Sequence, residues 1–154
     1  MLNEENLKKA EEIRKRYPTS QAALLPVLWL AQEQEGWISE EMMRYVGSML
    51  GLPYGNVLGV VTFYSMYNSK KLGTYHLEVC TNVSCMLRGS DKVLDTIRHR
   101  CGVRPGETSA DGKWTVNEVE CMGACGGAPM LAIGEDYYEN LTPEKTEQLL
   151  SSLK

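Results

Sequence analysis

"TYHLEVCTNVSC", residues 74–85, runs from a strand-like alternation of apolar and polar residues into a pair of thiols. A second stretch repeats the arrangement. "WTVNEV" (114–119) alternates and stops just before "CMGACGGAP" (121–129), which holds another pair in a bed of glycine and alanine. Both pairs, Cys80 with Cys85 and Cys121 with Cys125, are expected in loops just after strands, where side chains converge at one end of a sheet. Between them, "SDKVLDTIRHRCG" predicts a helix capped by Ser90, with Val93, Leu94, Ile97 and Cys101 on one face and Gly102 at its end. Downstream, "MLAI" and "YY" flank "GED" as a hairpin. Thr142 with Pro143 starts a last helix that carries Leu149, Leu150 and Leu153 inside. The order β-α-β-β-β-α makes a small mixed sheet flanked by helices.

Upstream the period is helical. Leu7, Ala10, Ile13 and Tyr17 follow Asn3 as N-cap, with Glu4 and Glu5 in the first turn and Arg14, Lys15 and Arg16 near the end, the order a helix dipole favours. A second helix is predicted from Ser20 towards Glu35, kinked or broken at Pro26. A third, capped by Ser39 and closed by Gly51, lines up Met42, Met43, Val46, Met49 and Leu50. A short fourth is predicted around residues 56–64. "NSKKLG" (68–73) reads as a linker, so the expected division is a helical domain over 1–72 and an α+β domain over 73–154.

Charge excludes one class of partner. Residues 1–72 hold eight Lys/Arg and eight Asp/Glu, whereas residues 73–154 hold eight and twelve, so the cysteine-bearing half carries the whole net charge of −4. An acidic half repels phosphate backbones, which argues against nucleic acid. The most apolar run, "AALLPVLWLA" (22–31), is half of the about 20 residues that cross a bilayer. "MLNEENLKKAEEIRKR" has no apolar stretch behind its charges and does not read as a signal peptide. A reducing, cytoplasmic setting is therefore expected, in which five cysteines point to metal or redox chemistry rather than disulfides.

Four thiolates suit either a tetrahedral zinc ion or an iron–sulfur cluster. Zinc knuckles favour two residues between ligands; here the gaps are four and three, wide enough for loops around something bulkier. Gly123, Gly126 and Gly127 let backbone N–H groups approach sulfur, and such bonds help set a cluster's potential. A four-thiolate two-iron core is dianionic when oxidised and trianionic when reduced, so neutral backbone donors would stabilise it. His76 falls in a strand and His99 in a helix, away from both pairs. Cys101 reads as a packing residue on an apolar helix face.

The stretches "FYSMYN", "GTYHLEVCTNVSCMLRGSDKVLDTI", "VECMGACGGAPM" and "YYENLTPEK" resemble the small [2Fe–2S] subunit of the NADH-oxidising arm of respiratory complex I. Related subunits serve NAD-linked hydrogenases and formate dehydrogenases. The resemblance implies a helical bundle followed by a thioredoxin-like domain, with Cys80, Cys85, Cys121 and Cys125 as the cluster ligands and no role for Cys101. It places NADH and FMN on a partner flavoprotein subunit within a larger complex, on the cytoplasmic side of the membrane. "CTNVSCMLRGSD" and "APM" are closer to the complex I form.

The residues agree with such a division of labour. No Gly-x-Gly-x-x-Gly follows a strand, and the glycines of "GLPYGNVLG" (51–59) have the wrong spacing for a nucleotide. NADH delivers a hydride, which a flavin divides into single electrons. This chain is then expected to exchange single electrons with the flavin and to have no catalytic site of its own. The reading from another class is a zinc-stabilised adaptor. Among the aromatics and their neighbours, Phe63, Tyr64, Met66 and Tyr67 suit an interface and a core equally, while Trp29 and Trp37 read as core.

Overall fold

The computed structural model describes residues 1–153. The chain divides into two units, Met1–Lys71 and Leu72–Lys154. In the first unit the helices begin where short polar side chains can satisfy the first free N–H groups. Asn3 accepts from the Asn6 N–H and starts α1 (Glu4–Arg16); Thr19 accepts from Ala22 and starts α2 (Ser20–Glu35); Ser39 accepts from Met42 and starts α3 (Glu40–Leu50). Helix α4 (Tyr54–Phe63) begins behind Pro53, two residues earlier than expected. Consecutive helices pack on one another around Leu24, Leu28, Ile38, Met42, Val46 and Val57, all fully or almost fully buried.

Helix α2 is not broken at Pro26, one of the two outcomes expected there, but runs through it over its 16 residues. A proline inside a helix costs roughly 3 kcal/mol. Leu24, Val27 and Leu28 around it are fully buried, and each contributes about 1.5–3 kcal/mol, so burial of the flanking face outweighs the missing hydrogen bond. Trp29 is a second correction. It lies outside the core, 41% exposed, with its indole N–H donated to Glu33. Of the four residues that read equally as interface or core, Tyr67 is buried and Phe63, Tyr64 and Met66 are exposed.

After α4 the chain is tied back onto α2 by two buried polar side chains. Gln32 donates to the Met66 carbonyl at 2.8 Å and accepts from the Asn68 N–H at 2.6 Å. The Tyr67 hydroxyl donates to the Leu25 carbonyl at 2.8 Å, and burial pushes its pKa up to about 12. Neither residue faces an unmatched partner, as buried polar groups require.

The second unit holds β1 (Tyr75–Cys80), α5 (Val83–Leu87), α6 (Ser90–Cys101), β2 (Glu107–Thr108), β3 (Trp114–Val119), β4 (Leu131–Ile133), β5 (Asp136–Tyr138) and α7 (Pro143–Ser152). A 3₁₀ turn spans Cys125–Gly127. The sheet order is β2-β3-β1-β4-β5, with β1 and β3 parallel and the other neighbours antiparallel. Leu77, Val79, Val116 and Leu131 form one buried cluster with Val93 and Ile97 of α6 and Leu150 of α7. The architecture is the α+β arrangement expected, with additions. Helix α5 and the two-residue strand β2 are new. The α6 cap is Gly89 in a left-handed conformation rather than Ser90, because only Arg88 and Gly89 separate α5 from α6 and the chain must turn within them.

This packing has measurable consequences. A Cβ on Gly73 would lie 2.9 Å from the backbone of Lys113 and Trp114, whereas one on Gly59 in α4 would meet open space. Gly73→Ala should therefore cost about 1–3 kcal/mol by overpacking, and Gly59→Ala should gain about 0.5–1 kcal/mol, both read by urea denaturation. Tyr67→Phe should cost about 1 kcal/mol through the lost hydrogen bond. Folding holds the Tyr67 hydroxyl protonated, so its contribution is complete below the ordinary value of 10.0 and fades as pH rises towards about 12. That alkaline loss should be absent from Tyr67→Phe, as followed by circular dichroism of the two proteins.

Candidate metal centre

Strands β1 and β3 lie side by side in parallel, with Cys80 opposite Val119, so the chain leaves both strands at the same end of the sheet. Cys80 is the last residue of β1, and its N–H donates to the Met130 carbonyl at 3.2 Å. The chain then turns at once: Thr81 N–H donates to the Val119 carbonyl, and the Asn82 side chain accepts from Val83 N–H at 2.7 Å to cap α5. Cys85 sits on that helix and is buried, as is Cys80. Cys121 follows β3 by two residues, and Cys125 opens the 3₁₀ turn; both are exposed. The first pair therefore does not lie in an open loop as expected, because Cys80 ends a strand and Cys85 belongs to a helix.

The four thiols are brought together. Cys80 lies within hydrogen-bonding reach of both Cys85 and Cys121, and Cys85 faces Cys80 and feels Cys125 electrostatically. All five cysteines of the chain are free thiols. Among the described residues, no three or more His, Cys, Asp or Glu side chains gather as a single ion would need. Four thiols at one sheet end are a donor set that fits either an iron–sulfur cluster or a single tetrahedral ion.

Backbone donors supply the electrostatics. Burial pushes the Cys80 thiol up, but N–H groups of Asn82 and Met122, with the thiols of Cys85 and Cys121, leave it below its ordinary value. Cys85 is pushed up to about 11, chiefly by burial and then by Cys80. Gly123, with φ of 75°, turns its N–H onto Cys121 Sγ at 3.3 Å. Of the three glycines expected to bring N–H groups to sulfur, Gly123 does so, whereas the Gly127 N–H donates to the Ala124 carbonyl and closes the turn. The donors from Asn82 and Met122 were not legible, since residue type says nothing about where a backbone N–H points. The one available signal for α5 was Asn82, an N-cap residue type.

The remaining candidates lie elsewhere. His76 Nε2 is paired with Asn117 Nδ2 at 2.8 Å on the sheet, and His99 belongs to α6. Cys101 packs partly buried beside the α6–sheet core, where burial pushes its thiol up to about 11. On α5, Val83, Met86 and Leu87 are exposed, and the Tyr137 hydroxyl donates to the Met122 carbonyl at 3.2 Å. The Ala128–Pro129 peptide bond is cis.

Comparison with known proteins places this geometry. Residues 10–154 match the thioredoxin-like [2Fe–2S] ferredoxin family. A subunit of the NADH-quinone oxidoreductase of Rickettsia felis is 45% identical over 152 residues, 97% of this chain and 91% of that protein. NADH dehydrogenase [ubiquinone] flavoprotein 2, mitochondrial, of Dictyostelium discoideum is 44% identical over 156 residues, 99% of this chain and 63% of that protein. The chain also superposes on an NAD+-reducing [NiFe]-hydrogenase in its H2-reduced state with a TM-score of 0.76. That match is 18% identical and covers 89% of this chain and 23% of that one, a likeness of fold. With its four thiols at one sheet end and these relatives along nearly its whole length, the chain belongs to the thioredoxin-like [2Fe–2S] ferredoxins, in the group found as subunits of NADH-quinone oxidoreductases.

Proposed function

We propose that this chain is the electron-transfer subunit of an NADH-quinone oxidoreductase and that Cys80, Cys85, Cys121 and Cys125 hold its [2Fe–2S] cluster. The observation that carries the reading is that the four thiols gather at the end of β1 and β3, where Cys80 reaches Cys85 and Cys121 and Cys85 feels the charge of Cys125. When bound, the cluster supplies one-electron chemistry. The protein's own part is to keep the ligands in place and to direct neutral N–H groups at the sulfurs. Burial of Cys80 and Cys85 keeps water from half of the donor set. Exposure of Cys121 and Cys125 leaves the other half near the surface, where an electron can enter or leave.

The partner in this reading is a flavoprotein subunit that carries FMN and binds NADH, since a flavin converts hydride into single electrons and this chain has no dinucleotide fingerprint. No helix among the described residues is long and apolar enough to cross a membrane. The proposed place, taken from the resemblance to complex I subunits, is peripheral, on the cytoplasmic side of the membrane part of the complex. A role in an NAD-linked hydrogenase is the second reading, and the shared fold favours it. The names of the relatives that align along most of their own length favour the quinone oxidoreductase.

The purified chain is expected to be red-brown, with iron and acid-labile sulfide each near about two per chain. Stoichiometric zinc without iron, in protein made anaerobically with iron in excess, would replace this reading by the adaptor. Cys121→Ser should bleach or perturb the EPR signal of the reduced protein, while Cys101→Ala should leave it unchanged. Loss of the signal in Cys101→Ala would show that the ligand set is misassigned.

A further inference from the structure

Gly127 closes the turn that Cys125 opens, and it is buried. Its backbone is not in the left-handed region, unlike that of Gly123, so conformation does not demand glycine here. Space does. A Cβ at this position would lie 2.6 Å from Glu139 Oε2 and 2.8 Å from Glu139 Cβ, distances that real Cβ atoms do not show. The Glu139 side chain therefore lies along the Gly127 backbone in the volume that a larger residue would occupy.

Two backbone hydrogen bonds strap that segment to the turn. Asn140 N–H donates to the Gly127 carbonyl at 2.6 Å and Leu141 N–H to the Pro129 carbonyl at 3.0 Å, with Asn140 at a φ of 51°. The carboxylate they bring along has no counter-charge. Among the described residues, Glu139 takes part in no ion pair and its carboxylate accepts no hydrogen bond. Lys145, in the first turn of α7, donates to the Asn140 carbonyl at 2.9 Å instead.

We propose that the Glu139 carboxylate, laid on Gly127 two residues from the ligand Cys125, holds down the midpoint potential of the cluster. This inference rests on the ligand assignment proposed above. The reasoning is electrostatic. Reduction adds one electron to an already anionic group, with no bond formed or broken, and a fixed negative charge beside it disfavours the reduced form. Solvent weakens but does not cancel the effect, because Glu139 is exposed while Gly127, on which it lies, is buried. Glu139 acts through the field at Cys125 and is a positioning residue rather than a ligand.

The test is an EPR-monitored redox titration of the full-length, cluster-loaded chain at neutral pH. Glu139→Gln keeps the shape and removes the charge, so its midpoint potential should rise, and the difference from wild type should shrink as salt is added. Glu139→Asp should restore most of the lower potential. Gly127→Ala should push the carboxylate away and raise the potential in the wild-type background but not in Glu139→Gln. A Glu139→Gln protein with intact signal and wild-type potential would overturn the inference, and so would a shift indifferent to salt. If Gly127→Ala does not fold, the two Glu139 variants and the salt series still decide. Wild-type protein without iron and sulfide would instead overturn the proposed function, and this inference with it.

Discussion

Six consecutive residue pairs, from Tyr75 opposite Trp114 to Cys80 opposite Val119, hold β1 and β3 parallel and in register. Parallel strands end on the same side, and this brings thiols 36 to 45 residues apart in sequence into one neighbourhood. Burial protects the register. Leu77, Val79 and Val116 point into the cluster made with α6 and α7, and a slip of one residue would turn each of them to the other face. The same slip would displace the turns that carry Cys121 and Cys125 relative to Cys80. The integrity of the thiol site is thus a consequence of packing on the sheet face below it.

The site is built in two halves of different character. Cys80 and Cys85 are held by regular structure, a strand end and a short helix, and are buried with Ala128 and Met130. Cys121 and Cys125 lie on a glycine-rich turn and stay at the surface. Backbone N–H groups from Asn82, Met122 and Gly123 point at sulfur in both halves. Neutral donors suit a group whose charge changes by one electron, since they stabilise anions without fixing one redox state as strongly as a bound cation would. In the proposed reading an unpaired carboxylate near the exposed half works in the opposite sense, and together the two influences would adjust a potential within one constant set of thiols.

The helical unit obeys a simpler logic. Each of its first three helices begins at a polar cap and buries an apolar stripe, and the segment after α4 is held by Gln32 and Tyr67 rather than by further helix packing. Phe63, Tyr64 and Met66, next to that buried tyrosine, face outward. Pro26 shows how little a local rule weighs against a well-filled core.

Much of this was legible in the sequence because it depends on neighbours along the chain. Caps at Asn3, Thr142 and Ser39, the closing Gly51 and Gly102, the alternation before each cysteine pair and the spacing of the thiols are local patterns with local causes. They determined the helical first half, the mixed sheet of the second and the choice of four cysteines over Cys101 as the candidate set. Other features were decided only when distant segments met. Helix α5 is five residues long, too short to show a period, and the left-handed Gly89 follows from its junction with α6. The reach of Asn82 and Met122 N–H groups to Cys80 depends on backbone direction, which no side chain encodes. Glu139 reads as one more surface carboxylate until the strap to residues 127–129 lays it on Gly127. Sequence patterns specify what each segment prefers by itself; which charges and donors surround the thiols is set by contacts between segments far apart in the chain.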